Sequence, residues 1–232
     1  MNRTLGDLTL SLAYAYSHSI DDSSDRGDNA FVDAYNIAGN RASSNFDLRH
    51  SLSISYVYSL PFFRGSGLAN KALGGWQVSG ITVAQTGTPF SVVNGSGFPD
   101  NAGVGNGTSA TGSRPDLVGN PRTGFTANQD PTVAGPLAYN PAAYAAPRGL
   151  TFGDVGRNTL NYPGRLNFNF GVFKRFSIKE RTGFEFRWET FNIFNHTQFN
   201  SIDNSFGGGS TFLHLNGTHD PRRMQFGLRF YF

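Results

Sequence analysis

The feature that most constrains the fold of this chain is an alternation of apolar and polar residues over segments of about ten residues. It is clearest at the C-terminus, where Gln225, Gly227, Arg229 and Tyr231 separate Met224, Phe226, Leu228, Phe230 and Phe232. A period of two is typical of a β-strand with one apolar face. The same pattern covers 8–17, 50–59, 166–176 and 182–190, and a less regular segment covers 76–85 or continues to Val93. We therefore predict an all-β fold, an antiparallel meander of about six long strands.

The length of these segments separates two kinds of strand. Strands of globular proteins usually have about 5–6 residues, whereas a tilted strand that crosses a bilayer needs about 9–11. Segments of ten residues therefore favour membrane-spanning strands. In 76–85, Trp76 and Val78 fall on one face while Ile81 and Val83 fall on the other, so we expect a bulge near Gly80.

The connections between the segments alternate in length. Connections 18–48, 94–164 and 195–221 are long, whereas 60–75 and 177–181 are short. Outer-membrane barrels have this arrangement, with short periplasmic turns at one end and long extracellular loops at the other. A structureless connection of about 70 residues would argue against a compact soluble domain. The sequence thus predicts a barrel in the outer membrane of a Gram-negative bacterium.

Composition excludes several other classes of protein. Charged residues make up 15% of the chain, below the roughly 25% of soluble domains. Cysteine is absent, which excludes disulfides and thiolate zinc sites. The net charge is +3 without any run of like charges, so no nucleic-acid partner is expected. No stretch of 18 apolar residues is present, and no apolar signal-peptide core follows Met1, so we expect the natural protein to begin upstream.

Motifs for catalysis, cofactors or metals are weak. No G-x-S-x-G nucleophile motif is present, and we predict neither an enzyme nor a cofactor. His214, His219 and Asp220 share a loop, but their spacing matches no zinc motif, so we interpret them as solvated loop residues.

An acidic cluster in the first long connection has a faint calcium-loop pattern. Val32 stands where an EF-hand requires its bidentate Glu, so a surface acidic cluster is favoured and a weak calcium site stays open. The cluster consists of Asp21, Asp22, Asp25 and Asp28.

The two faces of the strands carry different chemistry. We expect the apolar face to meet lipid and the polar face to meet a wet lumen. The lumen-facing charge ladder is Glu185, Arg187 and Glu189, with Gln225 and Arg229 on the same side, and the outward set is Phe184, Phe186, Trp188, Phe226, Leu228 and Phe230. Aromatic residues near the short-turn ends predict an interfacial girdle: Tyr58, Phe62, Phe63, Trp76, Phe173, Phe176, Phe184, Phe230 and Phe232.

Six strands are too few to close a membrane barrel, since eight is the usual minimum. We therefore expect 1–232 to be an incomplete, C-terminal barrel segment whose missing strands lie upstream. The C-terminus resembles the β-signal of outer-membrane proteins through Gln225, Gly227, Phe230 and the final Phe232. The resemblance implies that the barrel-assembly machinery recognises this strand.

A second resemblance covers nearly the whole chain. Its blocks are 19–24, 45–50 (NFDLRH), 75–80 (GWQVSG), 86–90 (TGTPF), 114–116 (RPD), 156–160 (GRNTL) and 191–197 (FNIFNHT). In this order they resemble the barrel of TonB-dependent receptors of the Oar-like group. The resemblance implies a 22-stranded barrel around a plug, with the TonB complex acting on an N-terminal segment that is absent from this sequence.

Two functions follow from these observations. The first is a receptor or transporter that admits or senses a bulky solute across the outer membrane. The alternative is a structural or adhesive barrel that presents long surface loops without transport. A soluble β-sandwich enzyme is a weaker third interpretation. The residues identify no ligand, and outer-membrane lipid is the partner that the apolar face predicts.

Overall fold

The computed structural model describes residues 2–24, 32–33, 35–62, 65, 67–95, 113–127, 135–179 and 181–232. One α-helix, α1 (Leu68–Leu73), and 3₁₀ turns at Ile37–Asn40 and Pro141–Ala143 interrupt an otherwise β-rich chain. The strands are β1 (Asn2–Leu5), β2 (Leu8–Tyr16), β3 (Ile20–Asp21), β4 (Ala42–Ser43), β5 (His50–Ser59), β6 (Trp76–Gln85), β7 (Pro89–Phe90), β8 (Val93–Asn94), β9 (Asp116–Leu117), β10 (Tyr144–Ala145), β11 (Leu160–Asn161), β12 (Arg165–Lys179), β13 (Thr182–Phe191), β14 (Phe199–Ile202), β15 (Ser205–Phe206), β16 (Leu215–Thr218) and β17 (Arg223–Tyr231). No helix within the described ranges is long and apolar enough to cross a membrane.

One seven-stranded sheet contains all six predicted strands. Its order is β1-β2-β5-β6-β12-β13-β17, so the strands of the sheet pair in the order in which they occur along the chain, and every pair is antiparallel. The fold prediction is therefore confirmed. β1 was not predicted, because four residues are too few to show alternation, and it joins β2 through a tight turn in which Gly6 has φ +57°.

The register of β6 corrects the prediction of a bulge near Gly80. β6 pairs without a shift with both β5 and β12, and it ends at Gln85 rather than continuing to Val93. Ile81 and Val83 therefore lie on the polar face. Gly80 reflects close packing between strands: a Cβ on Gly80 would lie 2.5 Å from the Tyr56 ring, so the ring occupies the space of the missing side chain.

Cross-strand pairing groups the side chains of β13 and β17 as the alternation predicts. Phe184, Phe186 and Trp188 lie opposite Phe230, Leu228 and Phe226, and they form one face. Glu185, Arg187 and Glu189 lie opposite Arg229, Gly227 and Gln225, and they form the other. Phe173 pairs with Gln77 and Arg187, so it lies on the polar face and its prediction as a girdle residue was wrong. Phe63 lies outside the described residues.

An aromatic cluster and one buried cation lie on the apolar face at the end with the short turns. Trp76 contacts Phe176 and Phe186 edge-on at 6.4 and 6.1 Å between ring centroids. Lys174 lies among these rings and is 3% exposed, and its Nζ is 4.7 Å from the centroid of the Phe176 ring. Nζ donates a hydrogen bond of 2.7 Å to the carbonyl oxygen of Ala72 in α1. The amine thus joins the connection 60–75 to the sheet.

The hydrophobic core lies outside the sheet. We call the described parts of connections 17–49, 86–164 and 192–222 the loop cap. Within the connections, β7 pairs with β11, β9 with β10, and β14 with β16. The parallel pair β8–β15 joins the second connection to the third. These short strands enclose a buried cluster of Phe90, Val92, Ala143, Tyr144, Val155, Leu160, Ile202, Phe212, Leu213 and Leu215.

Candidate functional site

The polar face of the sheet carries a charge cluster near the short-turn end. Glu185 is buried, and its carboxylate accepts hydrogen bonds from Arg175 Nε at 2.6 Å and from Arg187 Nε. Both arginines leave much of their side chains in solvent. Glu189 is separate from this cluster, because its Oε2 accepts from Gln225 Nε2 at 2.6 Å. The structure therefore joins Glu185 to Arg187 and places Glu189 with Gln225.

An amide-lined cavity of about 520 Å³ lies on the same face at the long-loop end. Asn167, Asn169, Asn192 and Gln198 form its hydrogen-bonded wall, in which Gln198 Nε2 donates to Asn167 Oδ1 at 3.2 Å and Asn167 Nδ2 donates to Asn169 Oδ1 at 2.9 Å. Asn192 donates its backbone N–H to Asn169 Oδ1 at 3.1 Å. These contacts fix the wall in one geometry.

Two functional contributors to this cavity were not predicted. Asn192 and Gln198 lie just after β13, in or beside the block 191–197, and Asn192 has φ +53°. The signal in the sequence was an Asn at a strand end, which tolerates a positive φ and bonds local backbone groups. Arg165, His219 and Arg223 add cationic or imidazole groups to the lining. Desolvation lowers the pKa of His219, the nearby Arg165 lowers it further to a smaller extent, and Asp220 opposes the shift.

A buried arginine connects two of the long connections in the loop cap. The Arg157 side chain is 1% exposed and its Nη1 donates to Asp21 Oδ1 at 2.7 Å and to the Asn40 carbonyl at 3.3 Å. Arg114 lies nearby and donates to Asn40 Oδ1 at 3.3 Å. Burial, together with the neighbouring Arg157, lowers the pKa of Arg114 to about 10. The blocks 114–116 and 156–160 therefore meet in the fold.

A second buried charge lies where the first long connection leaves the sheet. Asp47 Oδ2 accepts from Arg49 Nε at 2.8 Å and from His18 Nδ1 at 3.0 Å, and its Oδ1 accepts from the Ser19 backbone at 3.0 Å. Desolvation alone would raise the pKa of Asp47, but these hydrogen bonds outweigh it and hold the pKa at about 2. The carboxylate is thus ionised at neutral pH and fixes the base of this connection.

The C-terminal strand forms one edge of the sheet. Gln225 bonds to Glu189, Gly227 lies opposite Arg187, and Phe230 and Phe232 are exposed, with Phe232 just beyond the end of β17. In the described residues β1 and β17 are the two edge strands and do not pair with each other. The four residues of the predicted assembly signal therefore remain accessible along one strand.

Metal-binding side chains are dispersed among the described residues. No group of three or more His, Asp or Glu side chains there is arranged to hold a metal ion. His214 Nδ1 lies 2.9 Å from the Gly135 carbonyl oxygen, and Asp21 is engaged by Arg157. Asp25 and Asp28 of the acidic cluster lie outside the described residues.

These observations define a class: an antiparallel sheet of membrane-spanning strands with one apolar face, one polar face and ordered loops at one end. A model of the family described as "Outer membrane beta barrel domain" matches residues 2–225. The chain belongs to this family, and it is located in the outer membrane. No curated protein and no solved structure matches the chain significantly.

Proposed function

We propose that this chain forms part of the wall of a TonB-dependent receptor of the Oar-like group, which admits or senses a bulky solute. The observation that carries the proposal is the polar face of a sheet whose described strands do not close on themselves. Edges exposed to lipid are excluded by the cost of unpaired backbone groups, so β1 and β17 need further partner strands. Under this proposal other parts of the same barrel supply those strands and the plug.

The chemistry of the polar face favours a wide barrel. Barrels of about eight strands fill their interiors with side chains, whereas those of 16–18 strands enclose water and those of 22 strands hold a plug. Arg175 and Arg187 are exposed on this face, and the cluster with Glu185 needs water or a polar plug in front of it. In this proposal the ladder Glu185, Arg187 and Glu189 therefore faces the lumen.

The loop cap and the amide-lined cavity supply the solute-contacting surface under this proposal. A pocket that is already shaped binds with a smaller cost of ordering than a flexible loop. The hydrogen-bonded wall of Asn167, Asn169, Asn192 and Gln198 is shaped in this sense. We infer that the role is non-enzymatic, that the assembly machinery contacts β17, and that the TonB complex contacts a region outside this sequence.

Energised uptake by the full-length protein tests the proposal. Cells with and without the full-length gene are compared for uptake of labelled siderophore, oligosaccharide, peptide and cobalamin, each with and without a proton uncoupler. We expect one solute whose uptake needs both the gene and the proton gradient. Uptake that is insensitive to the uncoupler, or equal in both strains for every solute class, contradicts the proposal.

A structural or adhesive role is the second candidate. The observation in its favour is the loop cap, because a buried hydrophobic cluster makes the surface loops a rigid, presentable unit. Binding of cells or matrix that survives the uncoupler and requires the gene, without any uptake difference, would support this role.

A further inference from the structure

We propose that the outer surface of the barrel holds the acyl chain of one anionic membrane lipid in a defined groove at the long-loop end. The groove has a volume of about 590 Å³ and lies on the apolar face, on the opposite side of the sheet from the amide-lined cavity. Its volume is within the range of small-molecule sites, roughly 300–1,000 Å³. The inference rests on the membrane barrel itself and is independent of whether the protein transports a solute.

The floor of the groove is one row of cross-strand partners. Tyr14 lies opposite Leu52, Leu52 opposite Ala84, and Ala84 opposite Leu166, so the four side chains come from β2, β5, β6 and β12. Ala84 has a single methyl group between two leucines. The row therefore dips at Ala84, and this depression in an otherwise bulky apolar surface gives the groove its depth.

The upper wall of the groove is a fixed segment of the loop cap. Gln198 Oε1 accepts from the Leu166 backbone N–H at 3.0 Å, and Nε2 donates to Asn167 Oδ1. The Gln198 carbonyl accepts from the His219 backbone N–H at 2.8 Å. These bonds hold residues 196–199 beside the start of β12, where Phe199 adds an apolar wall. A groove built from fixed elements accepts the lipid acyl chain in one conformation. This distinguishes the groove from the rest of the apolar face, where lipids make contact without a defined conformation.

Among the described residues, two imidazoles and the Arg165 guanidinium line the groove, and no carboxylate does. His50 Nδ1 is 2.9 Å from Tyr14 Oη, and the His50 ring lies 5.2 Å from the Tyr16 ring. His196 lies on the opposite wall. Tyrosines of this kind belong to the membrane–water interface, so the headgroup is expected beside them. A lining with the Arg165 cation and two imidazoles, and with neither Asp nor Glu among its described residues, favours a headgroup with net negative charge over a zwitterionic one.

Continuity with the lipid-facing surface identifies the occupant as a lipid rather than a protein. Tyr14 and Leu166 in the floor are exposed and belong to the same apolar face as Leu12 on β2. That face meets hydrocarbon in an outer-membrane barrel. An acyl chain from the surrounding leaflet therefore reaches the groove without leaving its own environment, and a soluble segment does not.

The test uses the full-length protein extracted in mild detergent and incubated with lipid A, the anionic lipid of the extracellular leaflet, that carries a photoreactive acyl chain. Ala84→Leu fills the depression, and Thr82→Leu is the matched control on the same face of β6, one row nearer the membrane centre. Bound lipid is counted by native mass spectrometry, and photo-crosslinks are mapped to peptides. A parallel arm uses phosphatidylcholine with the same chain.

We expect one retained lipid A molecule on the unchanged protein and on Thr82→Leu, several-fold less on Ala84→Leu, and crosslinks at residues 50–52, 84–86 or 196–199. Weaker retention of phosphatidylcholine supports the preference for an anionic headgroup. Crosslinks spread evenly around the apolar face, equal lipid retention by Ala84→Leu and Thr82→Leu, or a copurifying protein in the groove would each overturn the proposal.

Discussion

The sheet and the loop cap differ in how far they bury their large apolar residues. The buried apolar residues among the described ranges all lie in the connections, with Val92, Val93, Leu160 and Leu213 at 0% exposure. Large apolar residues of the long strands remain open, as on β17, where Phe226 is 73% exposed. The two regions thus match two different solvents: the surface of the cap is in contact with water, whereas the apolar face of the sheet is in contact with lipid.

This difference shows where each region gets its stability. The cap is stabilised by apolar burial and by buried polar contacts such as those of Arg157, as in a soluble domain. The sheet is stabilised by an unbroken backbone hydrogen-bond ladder, because lipid leaves no other partner for backbone groups. Substitutions that change side-chain size or charge to a similar degree should therefore affect stability differently in the two regions.

The largest effect is expected from deletion of Phe232, which probes assembly of the sheet. If β17 is an assembly signal, deletion in the full-length protein lowers its level in the outer membrane sharply. The stability of the inserted fraction should change little, since one buried Phe contributes only about 1.5–3 kcal/mol. Quantitative blotting of outer-membrane fractions measures the level, and Tyr231→Ala is the control. Normal levels after the deletion would leave Phe232 as an ordinary interfacial aromatic residue.

Arg157→Ala should weaken the cap and leave the sheet intact. Removal of one partner of a buried ion pair costs about 3–5 kcal/mol, and we expect a loss at or below the lower end of this range because the Asp21 side chain is 23% exposed. We expect rapid cleavage of the cap by protease added to intact cells, with unchanged heat-modifiable mobility of the barrel. Arg148→Ala is the matched control, because the Arg148 side chain is 88% exposed and lies 4.0 Å from Asp116. Equal protease resistance in both variants would contradict the assignment.

Leu228→Arg and Gln225→Arg compare the two faces of β17. An arginine on the lipid face near the bilayer centre costs about 2–4 kcal/mol, whereas an arginine on the polar face meets water or a polar plug. The midpoint of unfolding of the refolded full-length protein in urea should fall for Leu228→Arg and stay close to the original for Gln225→Arg. A larger loss for Gln225→Arg would reverse the assignment of the faces.

The smallest effect concerns pH and the cap. The pKa of Asp47 is about 2 in the folded protein, below the roughly 3.9 of an unfolded chain. Its stabilisation of about 2.5 kcal/mol is therefore complete above about pH 5 and is lost progressively as the pH falls from 5 to below 2. Protease resistance of the cap should fall over this range. Asp47→Asn should remove this acid step, whereas Asp220→Asn, at an exposed ion pair, should preserve it.

Much of the sheet could be predicted from the sequence. Strands whose two faces meet different solvents have alternating apolar and polar residues, and this period of two is visible in the sequence. Phe173 and Ile81 show the limit of that reasoning. Both are apolar, yet both lie on the polar face, since register is set by pairing along the whole strand. Gly80 suggested a bulge that is not there. A glycine stands at this position because the Tyr56 ring on the neighbouring strand fills the space of a side chain.

The candidate site was less accessible to prediction. The Arg157 contacts with Asp21 and Asn40 join residues more than 100 positions apart, and no local pattern encodes such a distance. The cap core had the same obstacle, since its apolar residues are scattered singly through Gly-rich and Pro-rich connections. The alternation over 166–176 places Asn167 and Asn169 on the polar face, but no such pattern extends to their partners Asn192 and Gln198.

Lys174 on the apolar face has a consequence for the membrane in which the protein resides. Its amine is bound to Ala72 beside the Trp76 ring, and this position marks the lower boundary of the hydrocarbon layer. Leu166, at the upper end, is eight residue steps away on β12, about 26 Å along the strand, or about 20 Å vertically at a tilt of roughly 40°. The protein is thus matched to a thin bilayer, as bacterial outer membranes are, and a thicker one would impose hydrophobic mismatch.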